Sequence, residues 1–245
     1  MQSAELRPIP QCGPPGLLPA EQVCECGEAF VRLTDSDRFH IDLRYAAQGI
    51  RGAAAACYVR ESVAEKLVSA QKMLPAGYRL RIFDAWRPFC VQQALYDGFA
   101  AAFTAEHPEI TGEALRLAIR QFVSEPNRVR ETSPVHCSGG AVDLTVERPD
   151  GTVLDMGTEF DCFAEPANTA WFEGSGNAEV IANRRLLFHI MTAAGFTNLP
   201  SEWWHFDCGD RFWGWYQGCA CRYTAVFTEE EVRSRLAPAP SGTRR

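Results

Sequence analysis

The chain has 245 residues, of which 46% are hydrophobic and 22% are charged, an ordinary composition for a soluble globular protein. A formal net charge of −7 at pH 7 and the lack of a basic stripe argue against a nucleic-acid partner. No apolar run reaches the roughly 18 residues of a membrane-spanning helix, and the first residues lack the pattern of a signal peptide. We therefore expect a cytoplasmic protein with no membrane segment.

The chain opens with a Pro- and Gly-rich stretch, residues 1–30, which predicts an arm lying over the surface. Four later segments place apolar residues at helical spacing, and three shorter segments are rich in strand-forming residues. A short fifth helix is predicted to begin at Thr228, where Glu231 completes a capping box. The last residues, 237–245, predict a disordered tail. The predicted helices span 61–74, 89–103, 111–123 and 177–194, and the predicted strands span 78–83, 141–146 and 203–206.

Helices that come in runs favour an α+β fold over a doubly wound parallel sheet. Since no linker or internal repeat interrupts the chain, residues 1–245 are expected to form a single domain. We expect a small antiparallel sheet that carries the functional residues, with helices packed around it.

Ten cysteines include two Cys-x-Cys pairs, Cys24/Cys26 and Cys219/Cys221, but no Cys-x-x-Cys. The simplest interpretation is that most of them are small buried hydrophobic residues. A disulfide that joins the two pairs and a second metal site are the alternatives.

Two segments about sixty residues apart contain the residue types that bind metals, His136-Cys-Ser-Gly-Gly-Ala-Val-Asp143 and Glu202-Trp-Trp-His205. Two imidazoles, one carboxylate and an open fourth position are typical of a catalytic zinc ion. The Gly139-Gly140 turn lets the first segment fold back on itself. On its own, however, this segment is also compatible with a turn that leads into an ordinary strand.

Glu202 and His205 are three residues apart and would face opposite sides of a flat strand. We therefore assign His205 as a ligand and Glu202 as a general base, provided that the segment bends or ends a strand; otherwise Glu202 is a surface carboxylate. Arg87, in Asp84-Ala-Trp-Arg-Pro88 at the end of a predicted strand, is a candidate donor to a developing oxyanion. Its alternative role is a structural ion pair with Asp84.

With these segments in place, the chain resembles the D-alanyl-D-alanine dipeptidases, a branch of the zinc D,D-peptidases. The resemblance extends from about Asp42 to Trp215. It rests on Asp42-Leu-Arg-Tyr-Ala46, Asp84-Ala-Trp-Arg-Pro88, Ser133-Pro-Val-His-Cys-Ser-Gly-Gly-Ala-Val-Asp-Leu-Thr145, Asp155-Met-Gly-Thr-Glu-Phe-Asp161, Asn183-Arg-Arg-Leu-Leu187, Met191-Thr-Ala-Ala-Gly-Phe196 and Ser201-Glu-Trp-Trp-His-Phe206.

The resemblance implies a hedgehog/D,D-peptidase-like fold and one Zn²⁺ per chain, bound by His136, Asp143 and His205. It implies that Glu202 is the catalytic base and that Arg87 stabilises the transition state. The substrate would be the small dipeptide D-Ala-D-Ala. Further substrate contacts are implied for Asp161, which would bind the free amino group, and for Ser133, Tyr45 and Trp204.

Cys137 departs from the Ser that relatives usually carry after the first zinc-binding His, and a ligand role for this thiol is an alternative. Three other functions remain open. A carboxypeptidase of the same superfamily would act on longer muropeptides, a zinc-binding module would have lost catalysis, and an envelope protein would depend on disulfides. The oligomeric state is not predicted.

Overall fold

A five-stranded sheet forms the centre of the computed structural model, which describes residues 6–174 and 176–238. Its strands are ordered β2-β4-β5-β7-β6, and β1 and β3 form a separate antiparallel pair. The strands are β1 (Phe30–Leu33), β2 (Phe39–Ile41), β3 (Cys57–Arg60), β4 (Arg79–Asp84), β5 (Ala141–Glu147), β6 (Thr197–Asn198) and β7 (His205–Asp207).

Seven α-helices surround the two sheets within the described residues. They are α1 (Arg44–Ala47), α2 (Glu61–Gln71), α3 (Phe89–Glu106), α4 (Gly112–Ile119), α5 (Ala178–Ala193), α6 (Arg211–Gln217) and α7 (Glu229–Ser234).

The sheet is mixed rather than purely antiparallel, because β2 runs parallel to β4, so the prediction of an antiparallel sheet was wrong at this edge. The pairs β4–β5, β5–β7 and β6–β7 are antiparallel as expected. The chain between β2 and β4 includes α1, β3 and α2, which is long enough for the crossover that parallel strands require. The described residues therefore form one mixed α/β domain.

The side chains of strand β5 alternate between the hydrophobic core and the opposite face of the sheet. All seven of its residues are buried, and side chains alternate between the two faces of a strand. Val142, Leu144 and Val146 belong to the main hydrophobic core, where burial of each aliphatic side chain contributes about 1.5–3 kcal/mol. Asp143 and Thr145 alternate with these core residues. The buried Asp143 carboxylate is therefore held in place by a strand that is anchored in the core.

The predicted helices are present with shifted ends. The second predicted helix continues to Glu106, three residues beyond the prediction, while the third ends at Ile119 instead of residue 123. Half of the predicted capping box is found: the Thr228 hydroxyl accepts from the Glu231 backbone N–H at 3.2 Å. The Glu231 carboxylate instead accepts from Arg130 at 3.0 Å.

The ten cysteines are free thiols, and only four of them are buried, so the expectation that most are core residues was wrong. The two Cys-x-Cys regions do adjoin, since the Cys24 thiol donates to the Cys221 carbonyl at 2.7 Å.

The predicted arm runs along the surface from residue 6 onwards. Residues 1–5 of this arm, and all of the predicted tail except 237 and 238, lie outside the described residues. None of the helices in the described part of the chain is long and apolar enough to cross a membrane.

Candidate metal centre

Three side chains from two neighbouring strands and the turn before them converge on one point. Asp143 on β5 is paired in register with His205 on β7, and His136 lies in a single 3-10 turn immediately before β5. The His136 Nε2 atom lies 3.1 Å from His205 Nδ1 and 3.4 Å from an Asp143 carboxylate oxygen. The second Asp143 oxygen lies 3.1 Å from His205 Nδ1.

The turn between His136 and Asp143 requires its two glycines. Gly139 has a φ of +78°, which side chains other than glycine adopt rarely. A Cβ atom on Gly140 would lie 2.6 Å from the Cys208 carbonyl oxygen. The chain can therefore reverse tightly enough to bring His136 back over the strand that begins at Ala141.

The hydrogen bonds of the two imidazoles determine which nitrogens are free to bind a cation. His136 Nδ1 lies 2.9 Å from the Ala85 carbonyl, which can only accept, so Nδ1 carries the proton. His205 Nε2 lies 2.8 Å from the Asp207 carboxylate and donates to it. These outer hydrogen bonds turn His136 Nε2 and His205 Nδ1 towards each other and towards the Asp143 carboxylate, as the two ring nitrogens available to a cation.

This donor set fits a tetrahedral divalent cation such as zinc. Ligand atoms that each lie 2.0–2.2 Å from one tetrahedral ion are about 3.3 Å apart, close to the three separations given above. The three groups are buried and form the possible metal-binding cluster of the described residues. Cys137 is not in this cluster, and burial raises the pKa of its thiol to about 12. The alternative ligand role for Cys137 is therefore not supported.

The electrostatics of the cluster agree with a site built for positive charge. Burial by itself would lower the pKa of His205, but the carboxylates of Asp207 and Asp143 outweigh it and hold that pKa well above its ordinary value. Burial would raise the pKa of Asp143, yet the neighbouring His136 and His205 keep it below its ordinary value. Asp143 is therefore an ionised carboxylate at neutral pH.

Glu202 reaches the cluster because the segment before β7 bends. The Glu202 N–H donates to the Leu199 carbonyl at 3.0 Å, and the His205 N–H donates to the Glu202 carbonyl at 3.3 Å. The strand consequently begins at His205 and not at residue 203, and a Glu202 carboxylate oxygen lies 3.7 Å from His205 Nδ1. Burial raises the pKa of Glu202 to about 7, a value suited to proton transfer near neutral pH.

Arg87 lies beside the cluster and makes the ion pair with Asp84 at 2.8 Å. One of its terminal nitrogens also lies 3.4 Å from an Asp143 oxygen and 3.4 Å from the Tyr45 hydroxyl. The two interpretations of Arg87 are thus compatible, because the ion pair holds the side chain while one edge of the guanidinium faces the cluster.

Asp161 joins the same group of residues through Tyr45, whose hydroxyl donates to the Asp161 carboxylate at 2.9 Å. Asp161 has a φ of +60°, and it is the one described non-glycine residue in this conformation. Burial raises the pKa of its carboxyl to about 7. Left-handed backbone at a residue other than glycine costs energy and often marks a functional site.

These residues share a cavity of about 830 Å³, a size that suits a small ligand. Its wall includes the three cluster residues together with Glu202, Arg87, Tyr45 and Asp161. Ser133 and Trp204 are buried and are not part of this wall; Trp204 packs against Phe160 in the core.

Arg184 supports the candidate site through structural contacts that sequence reasoning missed. Its buried guanidinium donates to the carbonyls of Met156, Pro166 and Asn168 at 2.6–2.7 Å, and so it fixes the loop that carries Asp161. The segment Asn183-Arg-Arg-Leu-Leu187 was noted for its resemblance alone. A helical arginine on an otherwise apolar face was the signal available.

Comparisons of the sequence with known proteins show which family the chain belongs to. The sequence model of a family described as D-ala-D-ala dipeptidase matches residues 33–226. The D-alanyl-D-alanine dipeptidase of Synechocystis sp. is 31% identical over 177 residues, which cover 64% of this chain and 71% of the relative. The D-alanyl-D-alanine dipeptidase of Escherichia coli is 30% identical over 175 residues, which cover 68% of this chain and 77% of the relative. The resemblance seen in the motifs is confirmed, and the chain belongs to the D-alanyl-D-alanine dipeptidase family of peptidases.

Proposed function

We propose that the protein is a zinc-dependent dipeptidase that hydrolyses D-alanyl-D-alanine to two molecules of D-alanine. The observation that carries the proposal is the convergence of two imidazole nitrogens and the Asp143 carboxylate, with Glu202 beside them. His136, Asp143 and His205 would hold one zinc ion per chain. When bound, the ion supplies Lewis acidity and makes a nearby water molecule more acidic.

Glu202 acts as the general base in this proposal. Its carboxyl has a pKa of about 7 because it is buried, so it can accept the proton of the attacking water and later transfer it to the departing amine. Its distance of 3.7 Å from a ligand nitrogen supports this assignment, since it is near the cluster without being part of it.

Arg87 and Asp161 have complementary roles in the proposal. Arg87 donates to the oxygen of the scissile carbonyl as negative charge develops there. Asp161 pairs with the free ammonium group of the substrate and places that group at a set distance from the scissile bond. Such a carboxylate favours dipeptides, because a longer peptide has no ammonium group at this position.

The experiment that tests the function is one assay with three substrates, D-Ala-D-Ala, L-Ala-L-Ala and a tripeptide that ends in D-Ala-D-Ala. We expect rapid hydrolysis of the first alone, its loss with a chelator and its recovery with added Zn²⁺. Good turnover of the tripeptide would instead favour a carboxypeptidase acting on longer muropeptides. Failure to hydrolyse any of the three would favour a non-catalytic zinc-binding module.

A further inference from the structure

Two acceptors hold the guanidinium of Arg87, and the second one has no role in the function proposed above. Arg87 Nε donates to Asp84 at 2.8 Å, and one terminal nitrogen donates to the Gln92 amide oxygen, also at 2.8 Å. The other terminal nitrogen makes only the long contacts of 3.4 Å to Tyr45 and Asp143. Its N–H groups are thus the ones free to donate strongly to a substrate oxygen.

Gln92 is itself held so that its amide has one possible orientation. The side chain is 1% exposed, and its Nε2 atom lies 2.9 Å from the carbonyl oxygen of Ser124. A carbonyl can only accept, so the amide nitrogen must face Ser124 and the amide oxygen must face Arg87. The orientation of Gln92 is therefore set by the segment that follows α4.

The chemistry of an amide suits this place better than that of a second carboxylate. Asp84 already gives Arg87 one ionic partner, and Asp143 lies at its outer edge. A neutral acceptor fixes the plane of the guanidinium and leaves its charge available to the reaction. A transition-state donor must be held rigidly to be effective, because the stabilisation depends on preorganised geometry.

We propose that Gln92 is a positioning residue, which orients the Arg87 guanidinium so that its free edge faces the scissile carbonyl. This inference rests on the proposed function, because it assumes that Arg87 acts on the substrate. Gln92 touches no reacting atom in this arrangement and acts through Arg87 alone.

A double-mutant cycle of Gln92→Leu and Arg87→Met tests the proposal, with D-Ala-D-Ala as the substrate. Gln92→Leu keeps the side-chain volume and removes both hydrogen bonds; it is expected to lower kcat about tenfold with little change in KM. In the Arg87→Met background the same substitution is expected to cause no further loss. The matched control is Gln93→Leu, at the next position of the same helix, where the amide bonds only the neighbouring Asp97 at 2.9 Å.

A conservative variant separates positioning from packing. Gln92→Glu retains an acceptor for Arg87, but it loses the bond to Ser124 and adds a further carboxylate against the guanidinium, so it is expected to recover only part of the kcat lost in Gln92→Leu. Additive losses in the cycle, a kcat for Gln92→Leu equal to that of Gln93→Leu, or no recovery with Gln92→Glu would each overturn the proposal.

A measurement without turnover distinguishes this inference from the proposed function. If the wild-type protein fails to hydrolyse D-Ala-D-Ala, the proposed function is refuted, but the orientation of Arg87 can still be followed by NMR. Gln92→Leu should accelerate hydrogen exchange of the Arg87 guanidinium protons, whereas Gln93→Leu should leave the exchange unchanged. Equal exchange rates in Gln92→Leu and the wild type would overturn the positioning role.

Discussion

Replacing Asp161 by Asn tests how the protein selects a free amino terminus. The backbone at this residue has a φ of +60°, a conformation that Asn tolerates almost as well as Asp, whereas other residues would cost roughly 1–2 kcal/mol. Asn also keeps an oxygen that can accept from the Tyr45 hydroxyl. The substitution therefore removes the negative charge and leaves the local structure in place.

The expected loss follows from the strength of one charge-assisted hydrogen bond. Such a bond to a partly buried carboxylate contributes about 1.5–3 kcal/mol, and each 1.4 kcal/mol corresponds to about a factor of ten. We therefore expect kcat/KM for D-Ala-D-Ala to fall about 10- to 100-fold in Asp161→Asn, with most of the change in KM.

The assay compares D-Ala-D-Ala with its N-acetyl derivative, which has no ammonium group. If the acetylated compound is not turned over, its inhibition constant replaces kcat/KM in the comparison. Wild-type protein should prefer the free dipeptide, and in Asp161→Asn this preference should shrink by the same 10- to 100-fold. Equal losses with both compounds would refute the reasoning, because the carboxylate would then act on something other than the ammonium group.

Three further predictions concern the base, the pH dependence and the loop. Glu202→Gln is expected to lower kcat by about 10²- to 10⁴-fold while the zinc content by elemental analysis stays near one per chain; zinc loss would mean that Glu202 is a ligand. Burial raises the pKa of both Glu202 and Asp161 to about 7, and both must be ionised to act, so kcat/KM should fall with decreasing pH. Since a bound cation lowers both pKa values, this fall in kcat/KM should occur at or below about pH 7. In Asp161→Asn, where one of the two groups no longer titrates, kcat/KM should fall less steeply with pH. A kcat/KM that rises towards acid pH would contradict the roles assigned to both groups. Arg184→Met removes four hydrogen bonds to backbone carbonyls and is expected to lower the free energy of unfolding in urea by about 4 kcal/mol. Arg233→Met on the surface of α7 should not change it, and equal effects would show that the loop is held by other contacts.

Local patterns were sufficient to predict the longer elements, and they singled out His136, Asp143, Glu202, His205 and Arg87 as candidate site residues, whereas Asp161 and Tyr45 came from the family resemblance alone. Apolar spacing indicated α2, α3, α4 and α5, and alternation indicated β4 and β5, because these segments are long enough to show a period. Strands β1 to β3 and β6 have two to four residues each, which is too short for a period of two to stand out.

Long-range contacts could not be predicted in the same way. The bend that brings Glu202 beside His205 is a turn closed by the hydrogen bond from the Glu202 N–H to the Leu199 carbonyl. Pro200 at its second position is a local turn signal, but nothing in the sequence shows that this turn places the Glu202 carboxylate beside His205. Gln92 orients towards Arg87 through a carbonyl 32 positions away, so nothing in its own helix distinguishes it from Gln93. Such contacts are set by the packing of whole elements and leave no local signature.

Residues 13–16 of the surface arm would couple their own docking to the binding of a ligand in the cavity. Pro14 and Pro15 form part of the cavity wall, although they precede the family match, which begins at residue 33. The arm is held by the Tyr216 hydroxyl, which donates to the Gly13 carbonyl at 2.9 Å, and by the Trp215 ring against Gly16. A ligand that contacts the two prolines binds the docked arm more tightly than the undocked arm. By mass action such a ligand would therefore stabilise the docked arm. A substitution that loosens the arm would lower the affinity for that ligand to a corresponding degree.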